Sequence, residues 1–379
     1  IGYNAGLSIS TAVRNTLIGG SAGDALTTGS RNIALGYAAL GNEDGHGRNI
    51  AIGYQALNVL NAGADAYNVA VGYGVGASLS TGLNNVLMGA FSGDALTTGS
   101  NNIAIGYSAL SSEDAHGTNV AIGRSALSTQ NAGADAYNIA IGYNAGGLVT
   151  TGVKNTIMGG LAGDAMTDAN QNVAIGYTAM TNNQFGHNSV AVGAGALFTM
   201  APSDGSDFVY NTAVGYNAGN AITTGANNTI LGGQAGDALT TGNNNIIIGK
   251  AAAASAVDVD NEITLGDSNI SAIRAQVTSI SSLSDKRDKK DIEDSVYGLD
   301  FVDSLKPVTF EWDQRDGNRS GVKDVGFIAQ DLQEVDDEYT RLVYESNPEK
   351  LEATYGRLIP IMAKAIQELS AKVKQLENK

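Results

Sequence analysis

Three histidines, His46, His116 and His187, occupy corresponding loops of this chain, the first two inside the phrases EDGHG and EDAHG. An imidazole beside carboxylates is a metal-ligating combination, and three chains meeting on an axis could gather three such rings. The third copy has lost both acids, however, and the preferred reading is a solvated loop. A second concentration is the run SDKRDKKDIED, which opens at Ser284. By residue type alone it is a solvated charge run after a serine able to cap a helix. Asp24, Asp94, Asp164 and Asp237, each in GDAL or GDAM, recur at one place, and Asp65 and Asp135 in NAGADAYN read as turn formers. Glycoside cleavage would need paired carboxylates in a cleft, and the acids before residue 284 sit mainly at apparent turns. Glycine pairs such as Gly74 and Gly76 lack the strand-to-helix setting of a dinucleotide site. Without cysteine, thiolate metal sites and disulfides are excluded. No cofactor and no metal are expected.

The elements that must carry these residues are set by repetition. A phrase of Asn, three apolar or small residues and Gly recurs as NTLIGG, NIALGY, NIAIGY and NVAVGY, its glycine falling at Gly2, Gly19, Gly36, Gly53 and onward to Gly266. The step is 17 residues, relaxed to 19 at two places and 22 at one. Gly2, Gly72 and Gly142 stand 70 apart and Gly215 a further 73, so four coils form a super-repeat. Positions such as Ile33 and Leu35 flank a small centre such as Ala34, which becomes Leu17, Leu87, Ile157 or Ile230 once per super-repeat. Alternation by two puts these on opposite strand faces, and both faces are apolar, so both should be buried. Seventeen residues are too few for a βαβ unit but suffice for one turn of a narrow parallel solenoid with two or three short strands. One face would fill the coil and the other would meet a neighbouring chain. Fifteen steps of about 4.8 Å give a rod of roughly 70 Å. Tyr37, Tyr54, Tyr73 and others follow the glycines, as a sugar-binding ladder or as packing between coils or chains.

The chain holds 49 glycines in 379 residues and a net charge of −16. An acidic chain without basic clusters argues against nucleic acid and an anionic membrane surface, and no apolar run approaches the roughly 20 residues that insertion as a membrane helix needs. It begins with Ile1 rather than Met, so the start of the parent chain is expected to precede it. Composition changes near residue 284: 24 of the first 283 residues are charged, against 36 of the last 96. The expected organisation is a shaft over 1–250, a segment over 251–283 that closes it, and a terminal domain over 284–379. In the closing segment Ile270, Ile273, Val277, Ile280 and Leu283 recur at three or four. Ile359, Met362, Ile366, Leu369, Val373 and Leu376 make a heptad seam among strong helix formers, predicting a coiled-coil stem over about 358–378. The fold class is therefore mainly β: a trimeric parallel β-solenoid or β-roll shaft, then a small α+β domain ending in a helical stem.

The phrase NIAIGYSAL resembles the head repeats of trimeric autotransporter adhesins, which implies a trimeric left-handed β-roll. The terminal stretches SDKRDKKDI, LDFVDSLKPVTFEW, DVGFIAQDLQEV and LEATYGRLIPIMAKAIQELSAKVKQLE, in that order, resemble the endosialidase-type C-terminal intramolecular chaperone of phage tail spikes and fibres. That resemblance implies a domain that trimerises, brings the upstream β-structure into register and then cuts itself off. Carried onto this chain, it places the scissile bond at Leu283–Ser284, with Ser284 as nucleophile and Lys289 as its dyad partner, supported by Asp285, Arg287 and Asp291. A serine hydroxyl is a weak nucleophile that needs a base within reach. Lysine serves only as the free amine, which burial and cations such as Arg287 or Lys290 promote and Asp285 and Asp288 oppose. Trp312 and Phe327 are expected in the domain's core.

The function implied is a homotrimeric tail fibre or virion appendage, assembled in the host cytoplasm. Its partners would be the rest of the virion tail, through a region before Ile1, and a host-cell surface glycan or protein receptor. Its only enzymatic act would be a single-turnover self-cleavage. A non-cleaving trimeric surface adhesin and a polysaccharide-degrading tailspike are the alternatives.

Overall fold

The computed structural model describes residues 1–203, 208–270, 272–274, 276, 284–315 and 320–378. By packing the chain divides into two compact units, Ile1–Gly266 and Asp267–Lys379. No helix among the described residues is long and apolar enough to cross a membrane.

The first unit is one parallel sheet of fifteen three-residue strands, from β1 (Thr16–Ile18) and β2 (Ile33–Leu35) to β15 (Ile263–Leu265), each paired only with its neighbours in sequence. Register follows the glycine spacing. Leu17 lies opposite Ala34, Ala34 opposite Ala51, and the 19- and 22-residue coils keep the same alignment, with Ala51 opposite Ala70 and Ala191 opposite Ala213. The strand register is therefore independent of coil length. β15 lies within the segment expected to close the shaft, so the ladder runs as far as residue 265.

Each coil has one strand where two or three were expected, because left-handed residues interrupt the rest. In the coil of Ile103–Ile105, Asn101, Ser108 and Leu110 have φ of +62°, +50° and +53°. These positions turn the chain instead of extending it. Gly106 shows why the repeated glycine admits no other residue. Its φ is +140°, and a Cβ there would lie 2.4 Å from the carbonyl oxygen of Gly123, the same position in the next coil.

The strand centres, Ala34, Ala104 and Ile157 among them, are fully buried. Their size is matched by the residue six places on. Ala104 and Ala121 sit with Leu110 and Leu127, whereas Leu87 and Ile157 sit with Gly93 and Gly163. Where both are small, as at Ala140 and Gly146, the gap is filled from both sides: a Cβ on Gly146 would lie 2.9 Å from Ile157 and 3.1 Å from Leu127. The four-coil super-repeat is thus a packing cycle, large side chains alternating with the space for them. The flanking face stays partly open in the single chain, with Ile18, Met88, Leu231, Ile263 and Leu265 at 40–66% exposure.

A buried polar column runs beside this core. The Asn that opens each phrase accepts through Oδ1 the backbone N–H of the Asn one coil later, from Asn32 onto Asn15 at 2.8 Å to Asn245 onto Asn228 at 3.0 Å. Ser189 carries the column where Asn is replaced, receiving Asn211 N–H at 3.2 Å. The amide nitrogens donate to loop carbonyls, as Asn102 does to His116 at 3.2 Å. Each side chain thereby satisfies buried backbone groups of two coils.

The second unit is α+β. It comprises α1 (Leu299–Ser304), an antiparallel hairpin of β16 (Val308–Asp313) and β17 (Ser320–Gly326), α2 (Ala329–Gln333), a short pair β18 (Val343–Tyr344) and β19 (Glu352–Ala353), and α3 (Leu358–Glu377). Its core is Leu332, Leu342, Val343, Leu358 and Ile361, with Phe301, Leu305 and Phe327 packed against it. Trp312 was expected there too. It lies instead on the hairpin, edge-on to Phe310, with its indole N–H donated to Asp324 at 3.2 Å, since β16 alternates and presents Phe310 and Trp312 on one face.

Candidate functional site

Ser284 and Lys289 come together. The Lys289 ammonium donates to Ser284 Oγ at 2.7 Å, and both side chains are exposed in the single chain. A turn of 3₁₀ helix at Lys286–Asp288 folds the five-residue spacing back on itself. Asp285 caps that turn by accepting the Arg287 N–H at 2.9 Å, and its carboxylate grips the Arg287 guanidinium at 2.6–3.1 Å. The Arg287 hydrogen bonds hold Asp285 below the usual carboxylate range, and Asp285 in turn raises Arg287. Asp285 and Arg287 thus neutralise each other and shape the turn, leaving Lys289 as the group directed at the hydroxyl. Asp291 enters neither contact; it lies beyond the turn with a φ of +52°. Leu283 lies outside the described residues, as do Val277 and Ile280 of the spacing noted above.

In this contact the nitrogen is the donor. To take the serine proton it must first lose one of its own, which burial favours and water opposes. The geometry therefore supplies the proximity of the two groups.

The rest of the terminal domain is held by residues that sequence reasoning did not single out. Asp336 accepts from the Thr340 hydroxyl at 2.6 Å and from the backbone N–H groups of Leu342 and Val343 at 2.8 and 3.0 Å, closing the loop that leads into β18. Burial would raise Asp336, but these donors outweigh it and the carboxyl is lowered overall. The Tyr297 hydroxyl donates to Asp337 and is pushed up to about 12 by that bond. Glu368 of α3 accepts the Leu299 N–H at 2.7 Å, satisfying an otherwise open donor at the start of α1. A cluster of Asp residues followed by Thr was the only sequence signal for the Asp336 lock.

α3 carries two apolar faces. Leu358, Ile361 and Ala365 are 5% exposed and belong to the domain's own core. The heptad seam lies elsewhere on the helix: Ile359, Met362, Ile366, Leu369, Val373 and Leu376 are 43–69% exposed. The spacing revealed the seam, while the inward face was missed because it falls between the seam positions.

Elsewhere, Tyr37, Tyr54 and Tyr73 stack coil upon coil with ring centroids 5.6 and 5.0 Å apart, yet each remains at least 40% exposed. His46 and His116 lie 3.7 and 3.6 Å from the buried carboxylates of Glu43 and Glu113. His187 is displaced by one place from their register and accepts the Asn170 N–H on Nδ1 at 2.9 Å.

Residues 284–343 match the family profile described as the chaperone of endosialidase. Ser284 is the first residue matched. No curated protein and no solved structure matches the chain. A fifteen-rung parallel β-solenoid shaft is thus followed in this chain by an endosialidase-type chaperone domain.

Proposed function

We propose that the chain is a homotrimeric tail fibre or related virion appendage, whose terminal domain sets the register of the shaft and then releases itself by cutting before Ser284. The observation that carries this reading is the 2.7 Å contact of Lys289 with Ser284 at the first residue of the chaperone match. Two apolar surfaces support self-association: the exposed seam of α3 and the half-open flanking face of the shaft. Both are exposed among the described residues, and α3 already fills its own domain with a different face. Near-identical coils can pair out of step, and long-range parallel pairing forms slowly because loop closure precedes its reward. A stem that gathers three chains at one end removes that ambiguity.

In the cutting step Ser284 Oγ adds to the carbonyl carbon of residue 283. Its proton passes to the Lys289 amine and from there to the leaving amino group of Ser284, and water then hydrolyses the ester to leave a free carboxylate. The exposed pair becomes competent when neighbouring chains bury it, so that cutting reports assembly. Cleavage leaves a shaft whose persistence is kinetic. Attachment to a host-cell surface is the role that a rigid repetitive shaft in such a virion would serve.

The test is intact-mass measurement after bacterial expression. Wild type is expected as two pieces, residues 1–283 and 284–379, while Ser284→Ala and Lys289→Ala stay whole. An uncut wild type, or a cut Ser284→Ala, overturns the proteolytic reading; in the first case the shaft and stem would still stand as a non-cleaving adhesin.

A further inference from the structure

Two loops of the shaft set an imidazole beside a buried carboxylate oxygen that has no hydrogen-bond partner among the described residues. Glu43 and Glu113 are fully buried. In each, Oε1 accepts the backbone N–H of the histidine three places on, at 3.0 Å from His46 and 3.1 Å from His116. Oε2 has no partner in either residue, and neither has the buried Nδ1 of either histidine. Leaving an anionic oxygen unpaired away from water is costly. The imidazole rings give these carboxylates no hydrogen bond. Their Nδ1 atoms stand 3.7 and 3.6 Å from Oε1, beyond a hydrogen bond. One ion at about 2.0–2.2 Å from both atoms would span such a gap. Asp44 and Asp114 complete each group, the three ligand atoms lying within 4.8 Å of one another.

The other two super-repeats show what the loop looks like without these residues. Register is given by a shared hydrogen bond, Thr27 N–H to the Asp44 carbonyl, repeated by Thr97 to Asp114, Thr167 to Gln184 and Thr240 to Val257. In the third copy Asn183 stands in place of the glutamate and Gly186 in place of the histidine. Asn183 bonds both its side-chain atoms to the Gly186 backbone, accepting its N–H at 2.8 Å and donating to its carbonyl at 3.0 Å. In the fourth copy the three places hold Ala256, Val257 and Val259. At this loop position acid, imidazole and orphaned oxygen appear together and vanish together, although Asp94, Asp164 and Asp168 also bury an unpaired oxygen elsewhere in the shaft. A loop needing only a buried polar plug has the Asn183 solution available.

We propose that Glu43, Asp44 and His46, and again Glu113, Asp114 and His116, form two divalent-cation sites of the shaft. Two carboxylates and one imidazole without a thiol suit Zn²⁺ or a neighbouring first-row divalent ion, with water completing the shell. Each site lies within one chain and needs no symmetry axis. The ion ties the loop after one strand to the buried base of its own coil, and it stabilises the folded shaft by mass action.

The test is metal content after the full-length protein is stripped with chelator, equilibrated with Zn²⁺ and dialysed, read by plasma mass spectrometry. Wild type is expected to retain two ions per chain, Glu43→Asn one, and the double variant Glu43→Asn with Glu113→Asn none. The asparagines copy the loop that the third super-repeat already folds. Should the double variant misfold, Asp44→Asn with Asp114→Asn changes only exposed members and is expected to weaken Zn²⁺ binding by about tenfold or more. Wild type retaining less than one ion per chain overturns the proposal, as does a folded double variant, of either kind, that binds Zn²⁺ like wild type.

Discussion

The shaft and the terminal domain solve opposite problems. In the shaft every coil repeats the same hydrogen bonds to the next, from the strand ladder to the asparagine column, so a coil is stabilised wherever a matching coil lies beside it. That uniformity says nothing about which coil should meet which. The terminal domain buries only six apolar residues among those described, yet no part of it repeats, and its long helix leaves a whole seam exposed. A uniform ladder in one unit and an exposed seam in the other is the division that the proposed chaperone-guided fibre would need.

That contrast can be broken most severely at the seam. Ile366→Asp with Leu369→Asp leaves the inward face of α3 intact, so the domain should still fold, but sedimentation should report a threefold lower mass, cutting should cease, and the yield of soluble shaft should collapse. Full shaft yield from this variant would mean that the coils find their register unaided. A middle-sized effect is expected from Gly106→Ala, which must hold φ near +140° with its Cβ against Gly123. It should lower shaft stability by at least about 2 kcal/mol in a denaturation experiment while leaving the terminal domain's transition in place. The smallest effect sharpens the comparison from the other side. Asp336→Asn should cost the terminal domain about 1 kcal/mol and the shaft nothing. The folded Asp336 carboxyl lies below its ordinary value of 3.8, so its contribution is present above that pH and is lost as pH falls through the lower folded value. The asparagine variant should erase that part of the terminal domain's acid sensitivity.

The ladder was legible because its signal is a spacing. Gly106 and its equivalents are required by backbone conformation, and such positions tolerate no substitution, so the period survives in plain view. The asparagines opening each phrase were equally visible, but their role was not, since each bonds to residues a full coil away. Core sizing was hidden for a related reason: Ala140 and Gly146 look like a cavity until Ile157 and Leu127 are brought in from adjacent coils. The left-handed residues were invisible because Ser108 and Leu110 carry no compositional mark of a turn. At the terminal end, the pairing of Ser284 with Lys289 was expected through family resemblance alone; the residues by themselves read as a charge run. The burial of Glu43 and Glu113 was missed because acids in a polar phrase are ordinarily solvated.

The left-handed residues have a consequence for how the shaft comes into being. Holding an L-residue there is uphill by roughly 1–2 kcal/mol, and the coil of Ile103–Ile105 does so at Asn101, Ser108 and Leu110. A lone coil is therefore worse than no coil. The shaft behaves like a crystal below its supersaturation limit: spontaneous seeds dissolve, whereas an existing face accepts layer after layer. Growth is then favoured only where a folded coil already stands.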